Sequence, residues 1–87
     1  MEHSDAFAAI ADPNRRYLLE ELRRGPKTVC ELASGLPVSR PAVSQHLKVL
    51  LDAGLVNAEA HGTRRVYAVS EGGFIKLNIW LDQFWTA

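Results

Sequence analysis

Apolar side chains recur every three to four residues through the first half of the chain, alternate with polar ones over residues 55–69, and return to helical spacing near the end. Phe7 and Ile10 lie three apart in an alanine-rich stretch from Asp5 to Ala11, which predicts a brief first helix. Asp12 is placed to cap a second helix and Pro13 suits its first position. Tyr17, Leu18 and Leu22 carry the apolar stripe on to a stop at Gly25-Pro26. Thr28 with Glu31 three residues on has the pattern of a capping box. Val29, Leu32 and Ala33 supply the inward face of a short third helix that Gly35 ends.

Leu36-Pro37-Val38 leaves only a tight connection before Ser39 opens a fourth helix that runs to Ala53 and is closed by Gly54. Two helices joined this closely suggest a helix-turn-helix. Leu55 to Ala60 and Arg65 to Val69 then read as two strands around a glycine turn at His61-Gly62-Thr63-Arg64, a hairpin wing. Glu71-Gly72-Gly73 is expected to break the strand, after which Phe74, Leu77, Leu81 and Phe84 follow heptad-like spacing with Trp80 beside them. The fold class is therefore mainly α with a small β-hairpin, a winged helix-turn-helix in the order α-α-α-α-β-β-α. A last helix ending on Phe84-Trp85-Thr86-Ala87, with neither a polar final turn nor a glycine cap, reads as cut short.

Composition narrows the function classes. Eighty-seven residues suffice for one domain but not two. No stretch approaches the apolar length of a membrane span, and Met1-Glu2-His3-Ser4-Asp5 has none of the features of a secretory signal. Cys30 is the single cysteine, which excludes an intramolecular disulfide and fits a reducing cytoplasm. Ten basic and ten acidic side chains cancel, so overall charge lends no support to nucleic-acid binding. Placement of the charges does. Residues 38–67 hold Arg40, Lys48, Arg64 and Arg65 against Asp52 and Glu59, a local excess of two positive charges.

On a helical wheel Val43, Leu47, Leu50 and Leu51 form the buried side of the fourth helix. The opposite side carries Pro41, Gln45 and Lys48, with Ala42, Ser44 and His46 at its edges and Arg40 at the helix start. An amphipathic helix with a solvated polar face would show the same pattern. Short or hydrogen-bonding residues are also what a helix needs to enter the major groove of double-stranded DNA. Gln45 can pair bidentately with adenine, while Ser39, Arg40 and the helix N-terminus suit phosphate and Lys48 adds a phosphate contact. Arg64 and Arg65 on the wing can lie along the minor groove or the phosphates beside it.

The run from Ser39 through Leu50, followed by Ala53-Gly54-Leu55-Val56 and Gly62-Thr63-Arg64-Arg65-Val66-Tyr67, resembles the ArsR/SmtB family of bacterial repressors. Asp12-Pro13-Asn14-Arg15-Arg16 with Leu18, Leu19 and Leu22 is similar to that family's second helix. The resemblance implies a homodimer on operator DNA, paired through its first and last helices. Here these are segments 1–11 and 74–87, with Phe7, Ile10, Leu77, Trp80, Leu81 and Phe84 as the interface. Eight large apolar side chains between Phe74 and Trp85 are too many for one face of a small domain, which favours the dimer.

Metal-sensing relatives imply ligands that this chain lacks. Where arsenic sensors carry Cys-x-Cys it has Thr28-Val29-Cys30, and where zinc sensors place Asp and His on the last helix it has only Asp82. His3, His46 and His61 are scattered, so neither a metal nor another cofactor is expected. Cys30 is expected to be buried and structural. The alternative, a redox-responsive repressor, would need a resolving thiol from another chain. Cys30 and His46 lie on different helices without an oxyanion or phosphate loop, which argues against an enzyme. A winged-helix module binding protein or RNA is the other reading. It would call for exposed apolar anchors or stacking aromatics, where this face has Arg40, Ser44, Gln45 and Lys48. The inducing signal, whether a ligand or a partner protein, has no motif.

Overall fold

A computed structural model describes residues 5–85 of the chain. The expectations placed on residues 1–4 and on the end of the chain at Thr86-Ala87 lie outside them. The elements run α1 (Ala6–Ala9), α2 (Pro13–Arg23), β1 (Lys27–Thr28), α3 (Val29–Ala33), α4 (Arg40–Asp52), β2 (Val56–His61), β3 (Arg64–Val69) and α5 (Glu71–Asp82). Each of the first four helices starts where a side chain satisfies backbone N–H groups that have no partner within the helix. Asp5 accepts from Ala8, Asp12 from Asn14 and Arg15, and Ser39 from Ala42, while Thr28 and Glu31 form a reciprocal capping box.

Burial would push the Asp12 carboxyl up. The backbone N–H groups of Arg15 and Asn14, with the nearby charges of His46 and Arg15, outweigh it and hold the group below its ordinary 3.8. Folding therefore favours the ionised form. Its contribution to stability is complete above the unfolded value and is lost as pH falls through the lowered native one. Asp12→Asn keeps a capping side chain but cannot titrate. A plot of urea midpoint against pH is expected to be flatter for this variant than for wild type below about pH 4. Parallel curves would remove Asp12 as a source of acid sensitivity.

The sheet has three antiparallel strands in the order β1-β3-β2, one more than the hairpin expected. Lys27 pairs with Tyr67 and Thr28 with Val66, so the entry to α3 is stitched to the wing's inner strand. A two-residue strand has no period to detect and exists only because β3 offers its free edge. In the wing itself Val56 pairs with Val69 and His61 with Arg64, leaving Gly62-Thr63 as the turn.

The core lies between α2, α3 and α4 and the sheet, with Leu18, Leu32, Val43, Leu47, Leu50 and Leu55 fully enclosed. Leu51 is only half-buried, at the margin of the stripe predicted for it. At the end of α4, Leu55 N–H donates to Leu50 and Gly54 N–H to Leu51, a Schellman closure that needs Gly54 at φ +79°.

β3 ends at Val69, just ahead of the Glu71-Gly72-Gly73 expected to break it, but these residues also form the first turn of α5, which was expected to start only at Phe74. Gly73 belongs there for a packing reason: a Cβ on it would strike the Gly54 carbonyl oxygen, whereas one on Gly72 would meet nothing. Gly73→Ala is expected to cost about 1–3 kcal/mol by forcing α5 away from the turn. Gly72→Ala is expected to raise stability by up to about 1 kcal/mol through reduced backbone entropy in the unfolded chain. Urea denaturation of the pair tests this, and equal effects would show that α5 does not depend on the close approach.

α5 is apolar nearly all round. Leu77 turns inward and is 5% exposed, whereas Ile79 and, in the turn that follows the helix, Phe84 and Trp85 are more than 60% exposed. Phe7 of α1 meets Trp80 edge-on at 4.9 Å between ring centroids, and Trp80 meets Phe84 at 4.7 Å. The two terminal helices thus share one aromatic surface.

Candidate nucleic-acid interface

α4 presents a polar side because its apolar residues are consumed by the core. Behind it Val43, Leu47 and Leu50 are fully buried, while Arg40, Pro41, Ser44, Gln45 and Lys48 stay exposed. Across from Arg40, Ser44, Gln45 and Lys48 stands the wing, and the space between is an open cleft of about 700 Å3 closed at its side by the start of α3. Thr63, Arg64 and Arg65 form the wing's wall, and Tyr67 lies deeper. Six of the ten residues singled out for DNA contact therefore border one concavity, although they come from positions 40–48 and 64–65.

Electrostatics sharpen that surface. Lys48 reaches Asp52 one helical turn on at 3.5 Å, an exposed pair that water largely screens. Arg40, Arg64 and Arg65 have no ion pair with a described carboxylate. The Arg65 guanidinium rests over the Tyr67 ring, 5.8 Å from its centroid, which steers it along the cleft wall. Glu31 is the acidic residue on the α3 side. Hydrogen bonds from the Thr28 backbone and hydroxyl, opposed by slight desolvation, and then the charges of Lys27 and Arg64 hold its carboxyl below the ordinary range.

The remaining four candidates stand elsewhere. Ser39 is the N-cap, its hydroxyl oxygen accepting from Ala42 N–H at 3.3 Å. Pro41 is exposed outside the cleft and Ala42 is half-buried. His46 is half-buried and turned towards α2, where its Nδ1 lies 3.4 Å from Arg15 Nη1. The helical wheel set His46 at the edge of the open face, and the packing of α2 against α4 takes it away from that face. Cys30, expected to be buried, is exposed and borders the cleft, because α3 is only five residues long and turns Leu32 inward instead. Thr63 and Glu31 also line the cleft and were missed as site residues. In the sequence Thr63 counts only as part of the 61–65 wing set along the minor groove or backbone, with no contact of its own, and Glu31 only as a cap. Among the described residues no group of three or more His, Cys, Asp or Glu could hold a metal ion, and no helix is long and apolar enough to cross a membrane.

A short α3–turn–α4 pair with an exposed polar helix, flanked by an arginine-bearing hairpin, defines a winged helix-turn-helix. The sequence profile described as "Bacterial regulatory protein, arsR family" matches residues 12–58, and the chain belongs to this family. It is 56% identical over 81 residues to the HTH-type transcriptional regulator Rv2034 of Mycobacterium tuberculosis, an alignment covering 93% of this chain and 76% of that one. It is 40% identical over 67 residues to the HTH-type transcriptional repressor SmtB of the same species, covering 77% of this chain and 50% of that protein. Among solved structures it is similar to the ArsR family transcriptional regulator RHA00566, with TM-score 0.83 and 36% identity over 88% of this chain and 85% of that one. The chain is a DNA-binding transcriptional regulator and not an enzyme.

Proposed function

We propose that the chain is a homodimeric repressor acting in the cytoplasm, which inserts α4 into the major groove of its operator and lays the wing along the flanking backbone or minor groove. The observation that carries this is the cleft itself, where Ser44 and Gln45 share the α4 wall with Arg40 and Lys48 and face Arg64 and Arg65 on the wing. Cations at the rim position a duplex by its phosphates, and the amide between them reads a base edge. The dimer rests on the aromatic surface of α1 and α5, since Trp80, Phe84, Ile79 and Trp85 are large side chains that the protomer leaves in water. Two-fold pairing through these helices would present two α4 helices to two half-sites. Autorepression, relieved by an inducer or a partner protein, is the regulation that fits a chain without a ligand-binding motif.

Selection of duplexes from a random-sequence pool, followed by salt titrations on the selected and a scrambled duplex, tests the reading. A dimer by light scattering with at least ~10³-fold preference for the selected duplex is the expected result. Equal and salt-sensitive binding to both would overturn specific repression.

A further inference from the structure

Arg15, in the first turn of α2, bridges the two helices that carry the surfaces on which the proposed function depends. Its Nε donates to the Ala9 carbonyl at 2.7 Å and its Nη2 to the Ala8 carbonyl at 3.2 Å, both at the end of α1. From the same guanidinium Nη1 faces Nδ1 of His46 on α4 at 3.4 Å and lies 3.9 Å from the Asp12 carboxylate. A guanidinium only donates, so in this contact Nδ1 of His46 is the accepting atom. One rigid, planar group therefore ties the end of the helix bearing Phe7 to the helix bearing Gln45, and its side chain is only 17% exposed. Arg16 adds a second clamp on the same segment, from Nη1 to the Ile10 carbonyl at 2.8 Å, but does not reach α4.

We propose that Arg15 is a positioning residue that couples the dimer face to the recognition helix: a shift of α1 on pairing is passed through its guanidinium to His46 and so to the seating of α4. The inference rests on the dimer and DNA readings above. Lysine cannot substitute, because a single ammonium cannot hold two carbonyls of α1 and a ring nitrogen of α4 in a fixed plane. Coupling is reciprocal: if pairing improves the seating of α4, then DNA on α4 must tighten pairing by the same factor.

The test measures the dimer dissociation constant of the full chain by sedimentation, with and without a saturating duplex carrying one half-site of the pool-selected sequence. A single half-site engages one protomer, so tightening does not come from bivalent attachment. Wild type is expected to dimerise at least about fivefold more tightly with the duplex. Arg15→Lys, which keeps the charge, is expected to bring that factor close to one. His46→Leu should do the same, and the double variant should go no further, since both remove one connection.

Thermal melts separate this from a purely structural role. An Arg15→Lys protein that melts lower yet retains the wild-type factor overturns the inference, as do effects of the two substitutions that simply add. A wild-type chain that stays monomeric overturns the dimer reading and this inference together. A wild-type dimer that is indifferent to the duplex overturns this inference alone.

Discussion

Gln45→Ala is expected to erase much of the difference between the preferred duplex and its single-base variants, while Arg65→Ala is expected to weaken binding to every duplex alike. Gln45 stands exposed in the middle of α4 with the cleft in front of it, and its amide offers the donor and acceptor that adenine's major-groove edge matches. Loss of one such bidentate pair removes about 1–3 kcal/mol of discrimination, and a symmetric dimer loses it at both half-sites. Arg65 is held over Tyr67 at the wing, where a guanidinium meets phosphate or the minor groove and carries little base information. Its removal should lower the slope of log affinity against log salt by about one for each phosphate left without its guanidinium. Affinities of both variants across a panel of point-substituted duplexes at several salt concentrations decide the matter. Equal losses on all duplexes for both would show that the two walls of the cleft do not divide the work in this way.

Phe84→Glu is expected to give a folded monomer with operator affinity reduced by roughly 10²–10⁴-fold, the advantage that joining two binding units confers. Phe84 is 67% exposed and touches its own protomer chiefly through Trp80, so the core of Leu18, Leu47 and Leu50 stays intact. A carboxylate on an apolar pairing face would be desolvated without a partner, which opposes assembly far more than it opposes folding. Light scattering reports the mass and a thermal melt reports the fold. A variant that remains dimeric with full affinity would show that the aromatic surface of α1 and α5 is not the pairing face.

Much of this architecture was legible because it is local. Asp12, Thr28 with Glu31, and Ser39 each announce a helix start through side chains acting over three residues, and each caps as expected. Val43, Leu47 and Leu50 are buried as the helical wheel requires. The recognition surface was legible in part. Arg40, Ser44, Gln45 and Lys48 share a face by helical geometry alone, but their convergence with Arg64 and Arg65 depends on a sheet folding back across the helix pair.

By itself the sequence determined the starts of α2, α3 and α4, the hairpin wing and most of the polar side of α4, because caps, turns and periodicity act within a few residues. Tertiary structure decided what hangs on distant neighbours. Lys27-Thr28 became a strand through pairing with residues 66–67, and Gly73 entered a helix because Gly54 approaches too closely for a side chain. Leu77 was assigned to the interior while Leu81 and Phe84, on the same heptad-like pattern, were left outside. His46 was drawn off the open face to Arg15, and Cys30 was left at the surface. Most of these outcomes turn on contacts between residues far apart in the chain, and spacing along a sequence does not say where such contacts fall.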